Sequence, residues 1–196
     1  MKPPGVNSTL LGECVPLTSR NWNAFLELFG GVSGGCGGCW CTWWRMSRAE
    51  WYQHTKKGRL DVMRELVARR QPTGVLLLNS QEVEGWCAVA PLSEYPTMLR
   101  SPVCKPMDKT DSWCISCIFI KAPYRRQGKM ETLIRGAASY AFSRGAPAVD
   151  GFPQRSGDRG MYVDRFVGVE GSFERAGFER IESRGRFRVA MRKWNL

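Results

Sequence analysis

The sequence predicts an α/β protein built as a layer of helices on a mostly antiparallel sheet. Short apolar runs bounded by turn residues alternate with segments of helical period, in the order β, α, α, β, β, β, α, β, α, β, β. Val75 to Asn79 and Val83 to Ala90, split by the polar turn Ser80 to Glu82, have a hairpin pattern that sets neighbouring strands antiparallel. Trp113 to Ile120 (WCISCIFI) is apolar, β-branched and bounded by polar residues, so it reads as a buried strand leading through a basic loop into a helix.

Taken in order, residues 12 to 18 form a first strand, and Asn21 caps a helix over Trp22 to Phe29, whose apolar positions 22, 25, 26 and 29 share a face. The glycines at 30, 31, 34, 35, 37 and 38 end it. Ser47 to Arg70 reads as a helix broken or kinked near Gly58, with Leu60, Met63, Leu66 and Val67 on one face, stopped by Pro72 and Gly74. After the hairpin, Pro91 to Met107 has no clear period and suits either a loop over a site or a surface excursion. Beyond the Trp113 strand, Met130, Leu133, Ile134, Ala137, Ala138 and Ala141 mark a helix that Gly145 ends. Ala148 to Phe152 is a short strand and Ser172 to Ala176 a short helix. Phe178 to Glu182 and Arg186 to Arg192 close the sheet, and no internal repeat is present.

At 196 residues and 43% hydrophobic, the chain suits one core and hence a single domain over 1–196. No run approaches the about 20 apolar residues of a membrane span, and the start MKPPGVNSTLLGE lacks a signal-peptide core, so the expectation is a cytoplasmic protein without a membrane partner. The net charge of +11 attracts polyanions: nucleic acid, acidic membranes or phosphorylated cofactors. Its densest clusters are Arg125, Arg126 and Lys129, and Arg184, Arg186 and Arg188. Eight cysteines without a secretion signal read as free thiols or metal ligands of a reducing compartment.

The segment from Trp113 to Phe142 carries the strongest chemical signal. A loop rich in Arg and Gly that opens a helix aims backbone N–H groups and the positive helix end at an anion. Gly128, lacking a Cβ, lets the backbone approach a phosphate, with Arg125, Arg126 and Lys129 supplying charge. Pro123-Tyr124-Arg125-Arg126-Gln127-Gly128 resembles the pyrophosphate loop of the GNAT acetyltransferase superfamily, whose pattern is Arg or Gln, two residues, Gly, one residue, then Gly or Ala; the last position here is Met130. Ser172-Phe173-Glu174-Arg175-Ala176-Gly177-Phe178 resembles the family's late helix with its Gly-Phe ending, and the element order matches along most of the chain.

The resemblance implies a GNAT-like sheet flanked by helices on both faces and an acetyl-CoA or other short acyl-CoA cofactor. The cofactor would lie along Ile118, Phe119 and Ile120, with its pyrophosphate on Arg125, Arg126, Gln127, Gly128, Lys129 and Met130. The implied activity is direct N-acyl transfer to an amine of a small molecule, peptide or protein, with a backbone N–H stabilising the oxyanion. The segment 1–72 would border the acceptor site and 73–196 would hold the sheet core and the acyl-CoA site. The family's Tyr acid, four residues before the late Gly, is here Phe173, which donates no proton. Tyr162 and Glu170 are the titratable candidates for that role, with Ser172 or water as substitutes. Two other readings stay open: an acyl-CoA-binding regulator without catalysis, and an RNA-directed enzyme or binder. A homodimer is also open.

Cys36-Gly37-Gly38-Cys39-Trp40-Cys41-Thr42-Trp43-Trp44-Arg45 is the most unusual stretch, and it resembles the N-terminal Cys-Trp-Cys stretch of a GNAT-like subgroup. With Cys114 and Cys117 it offers enough thiols for zinc. Against a metal, Cys114 and Cys117 stand three apart on a strand and should face opposite ways, so no metal ligands are assigned. Trp40, Trp43 and Trp44 have the spacing of one face of a core helix. The alternative is an acceptor pocket, and the family resemblance places Cys39, Trp40, Cys41, Arg45 and Cys117 there. The only histidine, His54, reads as a helix-surface residue.

Overall fold

The computed structural model describes residues 12–30, 37–79, 82–155 and 166–196. Seven strands form one sheet: β1 (Glu13–Pro16), β2 (Gly74–Leu78), β3 (Val83–Pro91), β4 (Trp113–Ile120), β5 (Ala148–Gly151), β6 (Glu179–Arg184) and β7 (Arg188–Trp194). Their spatial order is β1-β2-β3-β4-β5-β7-β6, and every neighbouring pair is antiparallel except β4 with β5. That parallel pair needs a crossover, which is supplied by helix α5 (Lys129–Ser143).

The apolar stripe read from the sequence is the face that α5 buries: Leu133, Ile134, Ala137, Ala138 and Ala141 lie in one core with Val75, Leu77, Cys87, Ile115 and Ile118. Its small residues bring the helix close to the sheet. A Cβ on Gly136 would overlap the Cys14 side chain of β1. The opposite face is covered by α1 (Trp22–Leu28) and α3 (Lys56–Ala68) through Phe25, Met63 and Val67, which pack on Leu76, Trp86 and Ala88. Helices therefore flank both faces of the sheet.

Five local expectations are corrected. Asn21 starts α1 without capping it; its side chain accepts from Thr18 N–H (2.7 Å) and donates to Pro16 O (2.9 Å), closing the preceding turn. The long helix expected over 47–70 is two helices, α2 (Arg48–Gln53) and α3. The break falls at His54–Thr55 rather than at Gly58, because Thr55 caps α3 by accepting from Gly58 N–H at 3.1 Å. Trp40, Trp43 and Trp44 do not share a helix: Trp40 and Cys41 have positive φ (46° and 53°), which breaks the helical turn between Trp40 and the other two.

The stretch Pro91 to Met107 is no lid. It folds into a 3-10 turn and α4 (Pro96–Leu99), burying Leu92, Tyr95, Met98 and Cys104 in a third core with Cys114 and Phe152. Finally, Cys114 and Cys117 share a face. The register passes from Ala88↔Cys117 to Val89↔Ile115, so Ser116 is an extra residue, a β-bulge that resets the alternation. Cys36 lies outside the described residues, and among those described no group of three ligating side chains is arranged for a metal. No helix among them is long and apolar enough to cross a membrane.

Candidate active site

The bulge at Ser116 sits where β4 parts from β5. Their pairing consists of Trp113↔Val149, Cys114↔Asp150 and Ile115↔Gly151, so the β5-facing edge of Ser116 to Ile120 has no strand partner among the described residues. A network clamps the closed end of this fork. Asp150, fully buried, accepts from Arg192 Nε (2.6 Å) and Nη2 (3.0 Å) and from Ser112 Oγ (2.6 Å), while Arg192 Nη1 reaches Asp108 (2.6 Å). Arg192 holds the Asp108 carboxyl well below the usual carboxylate range. At the open end Phe173, fully buried, fills the gap: its ring packs edge to face on Phe178, and a Cβ on Gly151 would overlap it. The ring where the family resemblance calls for Tyr is therefore a packing element.

The open edge of β4 runs into the basic loop. Lys121 to Gly128 ends in Gly128 in the left-handed region (φ 75°), preceded by Arg126 in the same region (φ 62°), and nothing lies within 4 Å of where a Gly128 Cβ would stand. Gly128 is the N-cap of α5 and supplies no side-chain cap. Among the described residues the N–H groups of Lys129 and Met130 meet no acceptor, which leaves the positive end of a 15-residue helix open to an anion. Arg125 Nε donates to Ile120 O (3.0 Å) and Gln127 Nε2 to Pro123 O (2.9 Å), fixing the loop, while the exposed Arg126 stays in solvent at its tip. Lys129 adds little free charge, because its ammonium is 2.7 Å from the buried carboxylate of Glu84. Ile118 points into the α5 core and Phe119 to the other face, so their contribution to a ligand at this edge is backbone.

Across β4 from α5 lies a cavity of about 430 Å³. The sequence-expected Cys39, Cys41 and Cys117 line it, joined by Ser116, Phe119, Trp43, Trp44 and Trp51. Cys41 Sγ donates to Cys117 Sγ at 3.3 Å, and that bond, with burial, raises the Cys41 pKa. Cys39 is raised likewise, first by its hydrogen bond with Cys41 and then by burial. Cys39 and Cys41 are therefore held as thiols at neutral pH. Ser116 is the one hydroxyl on the described wall. It neighbours Tyr95, a fully buried phenol that desolvation pushes well above its usual value.

Two expected acceptor residues stand elsewhere. Trp40 is buried against Phe25 and Phe29, and Arg45 lies over the Tyr95 ring, donating to Pro72 O (2.6 Å) and Glu94 (3.4 Å). Glu170 is buried at the start of α6 (Glu170–Arg175), paired with Arg180 of β6 at 3.1 Å and not on the cavity wall. Ser172 accepts from Arg175 Nη2 at 3.3 Å, and Tyr162 lies outside the described residues. Sequence reasoning missed Trp51, Phe119 as a wall residue, Ser116 and Arg188; only the density of Trp after residue 39 hinted at the walls.

No protein-family model matches the sequence, and no curated protein matches it significantly. Solved structures do match the fold. An aminoglycoside acetyltransferase AAC(6')-Ib bound to paromomycin and acetyl-CoA superposes with a TM-score of 0.56, at 12% identity over 93% of this chain and 92% of that one. A GNAT-family acetyltransferase from Bacillus cereus gives 0.52, at 10% identity over 95% and 99%. A ribosomal-protein-alanine N-acetyltransferase from Brucella melitensis gives 0.51, at 12% identity over 93% and 99%.

Proposed function

From a fold shared with the GNAT acetyltransferases, we propose that this protein is an N-acetyltransferase that moves an acetyl group from acetyl-CoA to an amine. One observation carries the reading. The edge of β4 opened at Ser116, which has no strand partner among the described residues, runs directly into a helix start without a side-chain cap and with a left-handed glycine beside it. An extended pantetheine arm pairs with such an edge as a strand does, and a pyrophosphate suits N–H groups that lack an acceptor. Gly128 leaves the space the phosphate needs.

Acetyl-CoA supplies the activated acyl group when bound. The chain's own residues then orient, polarise and exclude water. The bulge at Ser116 frees backbone N–H groups beside the cavity to donate to a carbonyl oxygen that gains charge during attack. Aromatic walls hold the acceptor and keep water from the thioester. Ser116 Oγ, backed by Tyr95, is the hydroxyl on the described wall able to pass a proton to a departing thiolate. Cys39 and Cys41 are held as thiols, and the transfer is read as direct. In this reading residues 1–196 work as one domain of the Cys-Trp-Cys kind, resident in the cytoplasm, where its free cysteines are stable.

The test is calorimetric titration with acetyl-CoA and with its dephosphorylated and desulfo analogues, followed by free-thiol release on adding amines. Micromolar binding that weakens without the phosphates, with thiol release, supports the reading. Binding without release with any amine leaves a regulator, and no binding removes the cofactor site.

A further inference from the structure

Resting on that transfer reading, we propose that the acceptor is an arylamine, an amino group borne directly on a flat, uncharged aromatic ring. The cavity has the size of a small-molecule pocket, and its described wall carries six aromatic side chains: Phe29, Trp43, Trp44, Trp51, Phe119 and Phe166. They are set before any ligand arrives. Trp43 and Trp51 meet edge to face with centroids 4.9 Å apart. Arg59 lies over Trp51 at 4.0 Å, while its Nε donates to Gly38 O (2.9 Å) and its Nη1 to Trp51 O (3.2 Å), tying the turn before Cys39 to α2. Rings fixed in this way bind a planar partner with little loss of rotamer freedom.

The same wall disfavours a cation. No Asp or Glu lines it among the described residues, and its one charged side chain is Arg188, whose Nη1 donates to Phe152 O at 2.8 Å. A polyammonium acceptor would give up water there without a counter-charge. Trp51 and Trp43 also already face the guanidinium groups of Arg59 and Arg48, the latter at 5.8 Å, so their π density is engaged.

Proton chemistry agrees. A protonated amine cannot attack, and the described wall carries no Asp, Glu or His to deprotonate it; Cys39 is held as a thiol by its bond with Cys41 and Cys41 by its bond with Cys117, each with burial. An amine attached to a ring delocalises its lone pair and is neutral at pH 7, so it attacks without prior deprotonation. The nitrogen lone pair forms the C–N bond and the C–S electrons leave on sulfur. One proton passes, through water or Ser116, from nitrogen to that sulfur.

Free-thiol release from acetyl-CoA at pH 7 is compared for 2-naphthylamine, cyclohexylamine and kanamycin, and 2-naphthylamine binding is read by tryptophan quenching without acetyl-CoA. The expected result is a kcat/KM for 2-naphthylamine at least tenfold above both others. Trp43→Ala should cut that value tenfold and leave acetyl-CoA affinity unchanged. Trp43→Leu, which keeps apolar bulk, should retain the thermal midpoint yet lose the preference. If acetyl-CoA binds and cyclohexylamine or kanamycin is the better acceptor, or if 2-naphthylamine neither quenches nor reacts, the inference is overturned while the transfer reading stands. If acetyl-CoA does not bind, the transfer reading fails and this inference falls with it.

Discussion

Six consecutive residues, Arg125 to Met130, make the loop proposed to hold the pyrophosphate, whereas the cavity beside it takes its walls from segments spread between Phe29 and Arg188. The loop offers backbone N–H groups and a glycine in open space. The cavity is walled by rings and thiols, of which Phe29, Cys41, Cys117 and Phe119 also belong to the sheet's second core. A contiguous site can be altered with little effect on stability. An assembled one is harder to alter where wall residues such as Phe29, Cys41, Cys117 and Phe119 are also core residues.

Four measurements put that contrast at risk. The largest effect belongs to Trp40→Ala, just behind the cavity: deleting a side chain packed on Phe25 and Phe29 should lower unfolding free energy by about 3–5 kcal/mol in denaturant titration. A loss below 1 kcal/mol would show that the cavity's support is dispensable. Gly128→Glu comes next. It should weaken acetyl-CoA binding tenfold or more, about 1.4 kcal/mol, by adding negative charge at the helix start. Its stability loss should stay near the roughly 1 kcal/mol of a left-handed non-glycine residue, since no atom is displaced.

Alkaline pH probes the thiol side. Burial raises Cys14 from 9.0 to about 11, so the unfolded chain loses that proton first and stability, full below pH 9, should fall as pH rises toward 11. Denaturation midpoints at pH 8 and 10.5 should differ less in Cys14→Ala than in the wild type; equal shifts would assign the effect to other groups. The smallest effect is Arg126→Ala. Losing one exposed cation should weaken acetyl-CoA about threefold at low salt and hardly at all at high salt. A salt-independent loss would mean that the guanidinium contacts the ligand in a desolvated site.

Much of the fold was legible because it rests on periodicity. The α5 stripe, the β2–β3 hairpin and the closing pair β6–β7 stand within a few residues of their expected bounds. The loop was legible because its chemistry is local: Arg, Gly and a helix start within a few positions. The tryptophans misled for the opposite reason. Their helical spacing is real, but left-handed residues at Trp40 and Cys41 break the turn, and that conformation is held by Phe25, Phe29 and Trp86 from other elements. Arg45 and Glu170 looked free in sequence and are committed to Glu94, Pro72 and Arg180 in space.

The sequence by itself determined the order of elements, the sheet's mixed character and the basic Gly-containing loop that opens α5, since each depends on residues within one or two turns of chain. Tertiary structure decided the rest. The fork between β4 and β5, the bulge that turns Cys114 and Cys117 to one face, and the union of Cys39, Cys41 and Cys117 with Trp43 and Trp51 arise from strand register and long-range packing. A one-residue shift in register reverses every side chain that follows, and no local pattern records where that shift occurs.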